Sequence, residues 1–77
     1  IETSKEVIEI MEALRTIKHD LARYLSINDP IFSRIDYWMK YLQMRGQISK
    51  KDMENLLKEM RSWRSTLSEY IRTRTSM

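Results

Sequence analysis

The sequence predicts an all-α chain folded as one antiparallel, up-down-up three-helix bundle, and three observations predict it. Apolar residues recur at alternating spacings of three and four in three separate segments, each segment carries its own start signal, and the connections between them are short. One domain covering residues 1–77 follows from the length. A chain of 77 residues supplies a single core, and at that size every helix has to contribute to it.

The first helix is expected over residues 4–26. Val7, Ile10, Leu14, Ile17, Leu21 and Tyr24 fall on one stripe, widened by Met11 and Leu25. Thr3-Ser4-Lys5-Glu6 reads as a capping box, in which Thr3 accepts from the Glu6 amide and the Glu6 carboxylate reaches back.

The second helix is expected over residues 30–45. Asp29 suits the N-cap, and Pro30 suits the first helical position, where its missing N–H would have no intrahelical partner. The inward stripe is Ile31, Ile35, Trp38 and Leu42, flanked by Phe32 and Met39, and Gly46 can take the left-handed conformation that ends a helix. The third helix is expected over residues 50–73. Ser49-Lys50-Lys51-Asp52 forms a second box-like start, with Ile48 stapled against Met53. Met53, Leu56, Met60, Trp63, Leu67 and Tyr70 form its stripe, with Leu57 and Ile71 alongside.

At 1.5 Å per residue these helices would be about 34, 24 and 36 Å long, so the first and third are expected to pack along each other and extend past the short middle one. Loops of a few residues force successive helices to run antiparallel.

Composition narrows the function classes. The chain has no Cys, so neither a disulfide nor a thiolate metal site is expected, and a reducing, intracellular (cytoplasmic) location follows. No run approaches the roughly 18 apolar residues that cross a bilayer, and IETSKEVIEI lacks the residue order of a signal peptide, so no membrane partner is expected. The start at Ile1 fits a trimmed product or a fragment of a longer chain.

Catalysis finds no support. There is no Gly-rich phosphate loop, and the one His, His19, falls opposite the apolar stripe with Arg15 and Arg23 a turn away on either side. Glu2, Glu6, Glu9 and Glu12 read as the dipole-favoured, solvated start of a helix. A non-enzymatic protein with no cofactor and no metal is expected.

Charge is uneven along the chain. Residues 1–29 carry six acidic against four basic side chains, net −2, whereas residues 30–77 carry five acidic against ten basic, net +5. Helix dipoles account for part of this, with acids near the first N-terminus and Arg72 and Arg74 near the last C-terminus. On the third helix, Lys50, Arg61 and Arg72 share a narrow outward arc, Lys58 and Arg64 lie to either side, and Lys51 lies slightly beyond Lys58. Such a track would neutralise phosphates without reading bases, although Glu54 and Glu69 interrupt it. The Arg45–Lys51 turn has the Gly of a helix-turn-helix, but its flanking helices are long for that motif.

The middle helix is the most informative element. Beyond its inward stripe it carries Tyr37, Tyr41 and Met44 at i, i+4, i+7, rotated about 120° from the stripe. Arg34 and Arg45 border this group, and Lys40 lies beyond it. A helix packed on two neighbours has no need of so wide an apolar arc, and Tyr, Met and Arg are the types enriched at protein interfaces. The bland alternative is that both rings only cover groove edges with their hydroxyls in water.

The sequence therefore points to a small interaction module, an accessory or assembly subunit that binds and stabilises a larger protein partner, in keeping with a nucleic-acid-handling complex. Its contact face is expected at Tyr37, Tyr41, Met44, Arg34 and Arg45. The alternatives are direct, sequence-nonspecific DNA or RNA binding through Lys50, Lys51, Lys58, Arg61, Arg64 and Arg72, and self-association through the long helices.

Overall fold

The computed structural model describes residues 3–75, which form three helices: α1 (Lys5–Leu21), α2 (Pro30–Arg45) and α3 (Lys50–Thr75). Glu2 of the acidic N-terminal group lies outside the described residues. α1 packs on both other helices, while α2 and α3 lie farther apart at the backbone, and the antiparallel three-helix bundle is the observed fold.

Why α1 is central follows from its stripe. Val7, Ile10, Leu14, Ile17 and Leu21 are all buried, at the spacing of three and four that keeps them on one face. They meet Phe32, Ile35, Trp38 and Leu42 from α2 and Leu56, Met60 and Trp63 from α3. Removing such side chains from water contributes roughly 1.5–3 kcal/mol each, which is how so short a chain offsets its ordering entropy. Within α2, Phe32 is buried and Ile31 only partly so, the reverse of the expected order. Lys18 and Asp36 pair at 2.7 Å across the α1–α2 surface and fix register more than they stabilise, since both are largely exposed.

The ends of α1 differ from expectation. The N-cap is Ser4, not Thr3: its hydroxyl accepts from the Val7 amide at 3.2 Å. Glu6 then stands one position too early to reach back as a capping box requires. The Ser4 amide instead donates to the Gly46 carbonyl at 2.8 Å, so the start of α1 is tied to the α2–α3 turn. Gly46 makes that turn possible: it sits at φ 72°, ψ −6°, is buried, and donates its amide to the Leu42 carbonyl at 2.8 Å.

At its other end α1 stops at Leu21 instead of residue 26. Arg23 donates to the Asp20 carbonyl and Tyr24 to the Leu21 carbonyl, bonds three residues back that tighten the chain out of the α-helix. The tightened segment still packs inward. Leu25 lies against the core, Tyr24 stacks on Tyr70 with centroids 6.0 Å apart, and the Arg74 guanidinium lies 5.1 Å from the Tyr24 ring. Only α3 is therefore long, at about 39 Å, and it carries the exposed apolar residues Tyr70 and Ile71 toward its end.

Candidate functional site

The seam between α2 and α3 is spanned by long side chains where the two backbones are too far apart for close packing. Trp38 is buried, and its indole N–H donates to one carboxylate oxygen of Glu59. The Arg34 Nε donates to the other at 2.6 Å. One turn along, the Tyr41 hydroxyl donates to Asp52 Oδ2 at 2.8 Å. Glu59 and Asp52 are seven residues apart, two helical turns, and so lie on the same side of α3.

Asp52 was expected to complete the second capping box. The cap itself is present, with the Ser49 hydroxyl accepting from the Asp52 amide at 3.2 Å. The carboxylate turns to Tyr41 instead of back to the Ser49 amide, because an Asp side chain is one methylene shorter than the Glu that usually closes the box. The hydrogen bond it accepts from the phenol, followed by partial burial, holds the Tyr41 pKa above the usual phenol value of 10.0, and nearby Arg45 works against that rise.

Above this polar floor stands the aromatic group. Tyr37 and Tyr41 stack with centroids 6.1 Å apart and planes 25° from parallel, and both meet Trp38 edge-on. The Arg34 guanidinium lies 4.9 Å from the Tyr37 ring centre, and that of Arg45 lies 4.8 Å from the Tyr41 ring. Tyr37 nevertheless remains 51% exposed and Met44 78% exposed. The five residues expected at a contact face are thus brought together, and Tyr41 has in addition a structural role across the seam.

Two open depressions flank the group. One, about 490 Å³, is lined by Tyr41, Met44, Arg45, Ile48 and Asp52 among others; the second, about 460 Å³, by Arg34, Tyr37, Trp38, Asn55, Lys58 and Glu59. Glu59, Asn55 and Asp52 were not singled out from the sequence as site residues. Two carboxylates seven apart at the edge of an apolar stripe, facing a helix that carries an indole and a phenol, were the available signal.

The basic residues of α3 occupy a different surface. Lys50, Lys51, Lys58, Arg61, Arg64 and Arg72 are all exposed. Arg72 is bonded to Glu69, whereas Lys50, Lys51, Arg61 and Arg64 enter no ion pair among the described residues. Lys58 belongs to both surfaces, since it also lines the groove beside Tyr37. Among the described residues no group of three or more His, Cys, Asp or Glu is placed to hold a metal ion, and no helix is long and apolar enough to cross a membrane. No family model, curated protein or solved structure matches this chain.

Proposed function

We propose that the protein is a non-enzymatic interaction module whose α2 face, at Tyr37, Tyr41, Met44, Arg34 and Arg45, binds and stabilises a larger protein partner as an accessory or assembly subunit. The observation that carries this reading is Met44 at 78% and Tyr37 at 51% exposure beside the buried Trp38 and Leu42 of the same helix. Aromatic rings held by stacking and by Arg lose little further freedom on binding, so area buried on them converts efficiently to affinity. The basic half of the chain suits a partner within a nucleic-acid-handling complex.

The test is affinity purification from the native cell, with nuclease, of wild-type protein and of Tyr37→Ser with Met44→Ser. Both positions are exposed, so the variant should remain folded by circular dichroism and lose the partners that wild type retains. Unchanged partners from a folded variant contradict the proposal.

A second reading, nonspecific DNA or RNA binding by α3, is favoured by the exposure of Lys50, Lys51, Arg61 and Arg64 without ion-pair partners among the described residues. It predicts that Arg61→Glu with Arg64→Glu abolishes retention of nucleic acid at low salt. Equal retention by the variant would reduce the arc to a solvated face.

A further inference from the structure

We infer that the α2–α3 groove takes an acidic amphipathic helix of the partner, an assignment that rests on the contact face proposed above and names its ligand chemistry. The groove exists because α2 and α3 are the most widely spaced pair in the bundle, bridged by Trp38, Tyr41, Asp52 and Glu59 instead of by close backbone approach. Its two depressions lie in succession along the seam, between the levels of Arg34 and Met44. Those eleven positions of α2 span about 15 Å, which matches roughly three turns of a docked helix.

Charge selects the occupant. The floor carboxylates are already engaged, Glu59 by Arg34 and Trp38 and Asp52 by Tyr41. Arg45 and Lys58 line the groove and, like Lys40 and Lys51 farther out on the two helices, form no ion pair among the described residues. Lys40 lies on one side of the Tyr37–Met44 strip, while Arg45 and the α3 lysines lie on the other. An apolar strip with cations along both edges complements a helix whose apolar stripe is flanked by Asp or Glu. Nucleic acid fits this groove less well. The Tyr37 π surface, on which a base would have to stack, is already engaged by Arg34 and Tyr41.

The experiment is an NMR titration of the whole protein at physiological salt with two synthetic amphipathic peptides. They share one Leu stripe, and its flanks are Glu in one and Lys in the other. The Glu peptide should bind at least tenfold more tightly, with the largest shifts at Tyr37, Tyr41 and Met44. Lys40→Glu with Lys58→Glu, both at exposed positions, should abolish or reverse that preference. Equal binding of the two peptides, shifts centred on the outer face of α3, or stronger occupation of the same residues by a short single-stranded oligonucleotide would each overturn the assignment. Absence of binding by either peptide also overturns it. The contact face itself then stands if the Tyr37→Ser, Met44→Ser variant still loses its native partners, and falls with it if that variant keeps them.

Discussion

Glu59 accepts the indole N–H of Trp38 across the α2–α3 seam, and this bond links the two helices where their backbones stand apart. The ring is buried while the carboxylate reaches it from a partly exposed position, so the pair closes the core at its polar edge. Replacing the acceptor strands a buried donor. Glu59→Leu is expected to lower stability by about 1–3 kcal/mol, and Trp38→Phe in the same background should add less than it does alone. Urea unfolding of the four proteins in the cycle measures both effects.

The Gly46 turn supplies a second prediction. With φ at 72°, any Cβ at this position is strained, and the Gly46 carbonyl also receives the Ser4 amide. Gly46→Ala should cost about 1–2 kcal/mol, and hydrogen exchange at the Ser4 amide should accelerate with it.

Leu14 tests the centrality of α1. It is fully buried at the middle of the stripe shared with α2 and α3, so Leu14→Ala should destabilise by about 2–5 kcal/mol, enough to leave a domain this small largely unfolded at 37 °C. Leu57→Ala, at a position 43% exposed, should change the thermal midpoint far less.

Tyr41 gives the fold a dependence on alkaline pH. Its pKa is raised in the folded state, mainly by the bond to Asp52, so the neutral phenol is favoured there. The stabilisation is fully present below the unfolded value of 10.0 and is lost as pH rises through the higher folded value. The stability difference between wild type and Tyr41→Phe, followed by chemical denaturation, should therefore be constant from pH 7 to about 9 and shrink above about 10.

Much of this fold was legible in the sequence because burial and helical period coincide. The stripe from Val7 to Leu21, the Asp29-Pro30 start and the Gly46 stop all appear where hydrophobic spacing and backbone chemistry require them. The end of α1 was not legible, since a tightened turn keeps residues three apart on one face just as a regular turn does, and Tyr24 and Leu25 pack inward either way. Thr3 and Ser4 are equally able caps, and the choice between them is made by a tertiary bond from Ser4 to Gly46. At the candidate site, the grouping of Tyr37, Tyr41 and Met44 follows from helical spacing alone. The bonds from Asp52 and Glu59 that give that face its floor depend on how far α3 stands from α2, which no local pattern encodes.

A protein partner seated on the α2 face would be captured there by site-specific photocrosslinking in the native cell. A benzophenone amino acid is placed at position 44 on α2, at position 61 on α3 or at position 12 on α1, all exposed. Nuclease-resistant protein adducts should concentrate at position 44. Adducts distributed equally over the three positions, or confined to nucleic acid at position 61, would contradict it.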